Sequence, residues 1–217
     1  MTGVQAKICG LNDPASVATA VAGGASHLGL VFFPPSPRSV TPGEAARLVK
    51  DVPKPVKLVG LFVDPDDAWL TEILRSVKLD LIQLHGSERI ERVRAIREIF
   101  KIPVMKALKV ATAADLEDAG RYASVADMLL FDAKAPKELK NALPGGNGLV
   151  FDWRILANME LSVPWMLAGG LDKDNVAQAV TISGAKFVDT SSGVEEKPGK
   201  KDPRLITDFL AAVHAIE

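Results

Sequence analysis

The chain has 217 residues, 47% apolar and 24% charged, close to the globular average; that composition supports a large buried core and argues against disorder. Its 26 basic and 27 acidic residues leave a net charge of −1, which gives no electrostatic basis for binding nucleic acid or an anionic membrane. A single cysteine excludes an internal disulfide framework and fits a reducing compartment, the cytoplasm.

The opening Met1-Thr2-Gly3-Val4 leads straight into a strand, with neither the charged nor the apolar region of a signal peptide. No apolar run is long enough to span a membrane. Strands are expected at residues 5–9, 27–33, 57–63, 81–85, 104–108, 127–132, 164–168 and 187–190. Most are continuous apolar runs, as parallel strands covered on both faces require. Helix signals lie between them. Asn12-Asp13-Pro14 opens the first, with Asn12 read as a cap, and Gly23-Gly24 ends it. Thr41-Pro42-Gly43-Glu44 is a capping box with proline in the first turn. Asp64-Pro65-Asp66-Asp67 starts the third helix and Ser87-Glu88 the fourth, whose Ile90, Val93, Ile96 and Phe100 form one stripe. Thr112 to Asp115 leads into the fifth, Asp152-Trp153 begins a short sixth, Asp172 caps the seventh, and Asp202-Pro203 begins the eighth.

Eight βα units of roughly 27 residues place the chain in the α/β class as a single-domain (β/α)8 TIM barrel over residues 1–217. The alternative, a doubly wound open sheet, normally carries a glycine-rich fingerprint after its first strand, and Gly10-Leu11-Asn12-Asp13-Pro14 is not one. The connection over residues 133–150 is rich in Lys, Pro and Gly, and loops of that length are usually functional or mobile.

In a barrel the chemistry gathers at the C-terminal ends of the strands. Cys9 ends the first strand and is either a small buried hydrophobe or a base. Lys7, two residues earlier on the same face, would lie one layer below it and lower the thiol pKa from about 8.5. Asp132 ends the apolar run Met128-Leu129-Leu130-Phe131 and is either the acid partner of Cys9 or a loop-fixing carboxylate. Arg38, in the proline-stiffened Phe33-Pro34-Pro35-Ser36-Pro37-Arg38, either grips a carboxylate or phosphate or is a solvated surface arginine. His85 is a polar group of the site or a satisfied strand-end histidine, whereas His27 and His214 read as structural. Gly169-Gly170 and Ser192-Gly193, in the last two loops, form a candidate phosphate site. Gly145-Gly146-Asn147-Gly148 is a further contact or a plain turn. No cluster has metal-ligand spacing, and no P-loop, nucleotide fingerprint or nucleophile elbow is present. These residues describe a cofactor-free, metal-free, phosphate-binding barrel doing acid–base chemistry on a small molecule.

The motifs Lys7-Ile8-Cys9-Gly10, Phe32-Phe33-Pro34-Pro35-Ser36-Pro37-Arg38, Val59-Gly60-Leu61-Phe62-Val63, Gln83-Leu84-His85-Gly86, Leu130-Phe131-Asp132, Leu167-Ala168-Gly169-Gly170-Leu171 and Val188-Asp189-Thr190-Ser191-Ser192-Gly193-Val194-Glu195 run in order through nearly the whole chain. Together they resemble the phosphoribosylanthranilate isomerase family. The resemblance implies an Amadori rearrangement in tryptophan biosynthesis, converting N-(5′-phosphoribosyl)anthranilate into 1-(2-carboxyphenylamino)-1-deoxyribulose 5-phosphate. It implies Asp132 as general acid at the ribose ring oxygen, Cys9 as general base at C2, Arg38 on the anthranilate carboxylate and Asp189 near the sugar hydroxyls. The implied substrate-binding set is Lys7, Arg38, His85, Asp189, Gly169, Gly170, Ser192 and Gly193, in a monomer or homodimer. Two alternatives stand beside it: another phosphate-binding barrel isomerase acting on a phosphoribosyl amine, and a non-catalytic barrel that binds a phosphorylated ligand. The related histidine-pathway isomerase resembles a site with two aspartates, which the Cys9 position argues against.

Overall fold

A computed structural model describes residues 3–135 and 145–216. Eight parallel strands follow one another around a closed barrel in chain order: β1 (Gln5–Cys9), β2 (His27–Val31), β3 (Lys57–Phe62), β4 (Leu81–Leu84), β5 (Val104–Val110), β6 (Met128–Ala133), β7 (Trp165–Leu167) and β8 (Phe187–Thr190). β1 pairs with both β2 and β8, which closes the ring. The expected strand bounds hold to within two residues. Alternation sends one set of side chains inward and the other out to the helices. Val59, Leu81, Met105, Met128, Leu130 and Met166 form the apolar cluster inside the barrel. Ile8, Leu28, Phe62, Ile82, Phe131 and Val188 belong to the larger core outside it.

Helices α1 (Pro14–Ala22), α2 (Pro42–Leu48), α3 (Asp67–Ser76), α4 (Ile90–Phe100), α5 (Ala119–Ala123), α6 (Val176–Ser183) and α7 (Pro203–His214) cover the barrel. The capping box at Thr41 forms as expected. Several expectations need correction. Asp13, not Asn12, caps α1; the Asn12 side chain donates instead to Gly199 O at 2.9 Å. The fifth helix divides into a 3-10 turn (Ala113–Leu116) and the short α5. The sixth is only a 3-10 turn, Trp153–Leu156, capped by Asp152. Asp172 and Asn175 bond each other's backbone, and α6 starts after them. A two-stranded hairpin, β9 (Glu195–Lys197) and β10 (Lys200–Lys201), precedes α7, in a run of charges that gave no strand signal. Residues 136–144 of the long connection, including most of its lysines, lie outside the described residues. Among the described residues no helix is long and apolar enough to cross a membrane.

Glu88 does not open α4 but turns inward. It is buried with Lys106, whose Nζ donates to Glu88 Oε2 at 2.6 Å and to Gly86 O at 2.9 Å. Glu88 also accepts from the backbone N–H groups of Asp64 and Gly86. One carboxylate therefore ties the loop after β3 to the loop after β4, directly behind His85. Removing one member of a buried pair strands the other charge away from water. Glu88→Gln should destabilise the fold by about 3 kcal/mol in denaturant unfolding, and adding Lys106→Met should restore part of the loss.

Candidate active site

Lys7 lies inside the barrel with no exposed surface, and a charge there needs a partner. Its Nζ donates to Asp189 Oδ1 at 2.9 Å, from the register position next to it on β8. Burial pulls the ammonium down, but Asp189 and Cys9 outweigh it, so the Lys7 pKa rises above its ordinary value. Cys9 sits above, at the end of β1. A Cβ on Gly29 would meet both Cys9 Sγ and Lys7 Nζ at 3.0 Å, so the bare glycine lets the thiol and ammonium crowd the same spot. The expected lowering of the thiol pKa does not follow. Burial pushes the Cys9 thiol up, Lys7 draws it down by less, and Asp189 adds to the rise.

Asp132 projects inward from β6. His85 Nε2 lies 3.1 Å from its Oδ2, and the Ala133 N–H donates to its Oδ1 at 2.9 Å. Behind the imidazole, the buried Gln83 places Nε2 2.9 Å from His85 Nδ1. With the amide so placed, Nδ1 accepts and Nε2 carries the proton offered to Asp132. His85 is thus a member of the acid's hydrogen-bond chain rather than an isolated strand-end residue.

Arg38 is buried, not solvated. Its Nε donates to Glu195 Oε1 at 2.7 Å and its Nη2 to Glu195 Oε2 at 2.8 Å, a two-pronged pair. Nη2 also donates to Gly146 O at 3.2 Å. Glu195 faces Lys201 across the β9–β10 hairpin, and Lys201 Nζ donates to Glu195 Oε1 at 2.8 Å. The same Nζ reaches Ser191 O at 2.9 Å and Ser191 Oγ at 3.2 Å, while Ser191 Oγ donates to Cys9 O. Burial would raise the Glu195 carboxyl, but Arg38 and Lys201 hold it below the usual range. Burial lowers the Lys201 pKa against the pull of Glu195. Sequence reasoning assigned neither residue a role. The one available signal was a carboxylate closing the otherwise small and apolar run Ser191-Ser192-Gly193-Val194.

A cleft opens at the strand ends, where (β/α)8 barrels carry their sites. Cys9, Arg38, His85, Asp132, Gly169, Gly170, Asp189 and Ser192 all line it. Lys7 and Gly193 do not: Lys7 lies beneath the floor, and Gly193 packs so closely that a Cβ there would meet Leu171 O at 2.0 Å. Gly169 and Gly170 adopt φ of 89° and 59°, conformations that favour glycine. Gly145 and Gly146 return over the site; Cβ atoms there would lie 2.6 Å from His85 Nε2 and 2.7 Å from Arg38 Nη1. That segment is a wall of the cleft, not a remote turn. Among the described residues no group of three or more His, Cys, Asp or Glu side chains could hold a metal ion.

A closed (β/α)8 barrel with a thiol, an acid–imidazole pair, a guanidinium and two loops around the mouth has the build of a TIM-barrel enzyme. The profile of the N-(5′-phosphoribosyl)anthranilate isomerase family matches residues 6–212. The chain is 58% identical to the N-(5′-phosphoribosyl)anthranilate isomerase of Rhodospirillum centenum over 98% of its own length and 99% of the relative's. It is 57% identical to that of Paramagnetospirillum magneticum over 96% of each. Among solved structures, phosphoribosyl anthranilate isomerase from Thermotoga maritima superposes with a TM-score of 0.85 at 34% identity, covering 97% of this chain and 98% of that one. A phosphoribosyl anthranilate isomerase in complex with reduced 1-(o-carboxyphenylamino)-1-deoxyribulose 5-phosphate gives 0.82 at 32% identity over the same shares. The chain belongs to the N-(5′-phosphoribosyl)anthranilate isomerase family, isomerases of tryptophan biosynthesis.

The raised thiol pKa sets a testable reactivity. In the ligand-free protein, iodoacetamide should label Cys9 slowly at neutral pH, with a rate midpoint above the roughly 8.5 of a free cysteine. A midpoint below about 8 would mean that the ammonium beneath it wins over burial.

Proposed function

We propose that Asp132 and Cys9 carry the isomerisation of N-(5′-phosphoribosyl)anthranilate as general acid and general base. The observation behind this reading is that both groups line one cleft, on different strands, together with Arg38. Asp132, carrying a proton, gives it to the ribose ring oxygen. The C1–O bond breaks, and the nitrogen lone pair forms the C1=N bond of a protonated Schiff base. Cys9, as thiolate, then takes the proton from C2; the C–H electrons form the C1=C2 bond while the C1=N π electrons return to nitrogen, giving an enolamine, which becomes the ketone by gaining a proton at C1 and losing the one on its 2-hydroxyl. His85, fixed by Gln83, holds Asp132 toward the cleft. Arg38 takes the anthranilate carboxylate. Its Nη1 has no acceptor among the described residues, whereas Nε and Nη2 are occupied by Glu195 and Gly146.

The phosphate fits the loops at Gly169-Gly170 and Ser192-Gly193, where backbone amides and glycine allow close approach to an anion. Asp189 sits between the buried ammonium and the cleft, which suits it to the sugar hydroxyls. Lys7 serves the site through Asp189 and Cys9 and does not touch substrate. The protein works on a small phosphorylated substrate, without metal or cofactor, as a monomer or homodimer in the reducing cytoplasm, where its lone thiol stays reduced. A phosphoribosylanthranilate isomerase of Thermotoga maritima is dimeric.

Expression of the wild-type chain should rescue a tryptophan auxotroph lacking this step, while soluble Cys9→Ala and Asp132→Asn variants should not. In purified form each substitution should lower kcat by at least about 100-fold with modest change in KM, as loss of a general acid or base requires. Near-normal turnover by either variant would reject its assigned role.

A further inference from the structure

Arg38 presents a paradox as an anion receptor. A guanidinium locked two-pronged onto a carboxylate is a neutral pair, and a neutral pair offers little to an incoming anion. Lys201 resolves it. Its Nζ has three acceptors, Glu195 Oε1, Ser191 O and Ser191 Oγ, at 2.8, 2.9 and 3.2 Å. Ser191 Oγ spends its own proton on Cys9 O, so it can only accept from Lys201. Three acceptors need three N–H donors, which an ammonium has and a neutral amine lacks. The cluster Arg38–Glu195–Lys201 therefore carries one net positive charge, buried at the edge of the cleft.

We infer that Lys201 and Glu195 are specificity-determining positioning residues: Glu195 aims Arg38 by occupying its Nε–Nη2 edge, and Lys201 cancels Glu195 so that the Nη1 edge meets a substrate carboxylate with its full charge. The hairpin is built to hold this arrangement. Lys201 and Glu195 are cross-strand partners, Asn12 bonds Gly199 O at the hairpin turn, and a Cβ on Gly199 would lie 2.5 Å from Pro37 O. The turn is thus seated against the loop that carries Arg38, which fixes the cluster from both sides.

The inference rests on the reading that Arg38 takes the anthranilate carboxylate, and the test separates the two. Calorimetric affinity is measured for reduced 1-(o-carboxyphenylamino)-1-deoxyribulose 5-phosphate and for its phenylamino counterpart, which lacks the ring carboxylate. The wild type should prefer the carboxylated compound. Lys201→Met should weaken that compound about tenfold and leave the phenylamino compound within about twofold, a split that general damage to the fold would not produce. Glu195→Gln combined with Lys201→Met returns the cluster to one positive charge, keeps an amide oxygen to accept from the Nε–Nη2 edge of Arg38, and should recover part of the lost affinity. If the wild type prefers the carboxylated compound and Lys201→Met keeps the whole preference, the inference is overturned while the reading of Arg38 stands. A double variant as weak as Lys201→Met alone also overturns it. A wild type indifferent to the carboxylate overturns the reading of Arg38, and the inference falls with it.

Discussion

A lysine with no exposed surface sits in the middle of this barrel, and the site is arranged around the need to compensate it. Lys7 can stay charged only because Asp189 lies next to it in register and its carboxylate accepts the hydrogen bond of the ammonium. That requirement decides what β8 carries at its inward position. Gly29 leaves the room on the other side. The ion pair forms a polar floor, with Cys9 above it, and the apolar layer of Val59, Leu81, Met105 and Met128 also lies inside the barrel. The thiol is thus held between two opposing influences, burial that favours its neutral form and an ammonium that favours the thiolate. Burial wins without ligand. Such a thiol is a stronger base once ionised, which suits it to taking a proton from carbon.

The same principle recurs at two other places in the fold. Glu88 and Lys106 compensate each other behind β4, and Arg38, Glu195 and Lys201 do so beside β8. Each cluster fixes a loop that carries a group of the site: the turn after His85 in the first case, the loop of Arg38 in the second. Buried ionic groups seldom add net stability over an apolar core of equal volume. Their value here is positional. Charges that cannot be solvated elsewhere leave each loop a single low-energy arrangement, and the cleft inherits that precision.

Much of this was legible in the residues themselves. Strands covered on both faces are nearly all apolar, so an inward polar residue at a strand end stands out, which is how Cys9, Asp132 and Asp189 could be picked. The first helix start was legible through Asp13-Pro14 and the second through Thr41 and Glu44, because capping chemistry is local. The sixth helix was not, since an Asp152 cap signals a turn as well as a helix and leaves its length open. The hairpin was hidden for a different reason. Glu195, Glu196, Lys197, Lys200 and Lys201 are charges without apolar alternation, and only the hairpin's register turns Glu195 and Lys201 inward while the others stay exposed. The sign of the Cys9 shift was equally hidden, because neighbouring charge can be inferred from spacing whereas the depth of burial cannot.

In the proposed reaction one cleft presents an acid and a base to two different atoms of one sugar. A crystal structure of this chain with reduced 1-(o-carboxyphenylamino)-1-deoxyribulose 5-phosphate tests it most directly. Cys9 Sγ should lie within about 3.5 Å of C2, Asp132 at the oxygen that was in the ribose ring, and the ring carboxylate on Arg38 Nη1. A complex in which C2 faces Asp189 or His85, with Cys9 out of reach, would contradict it.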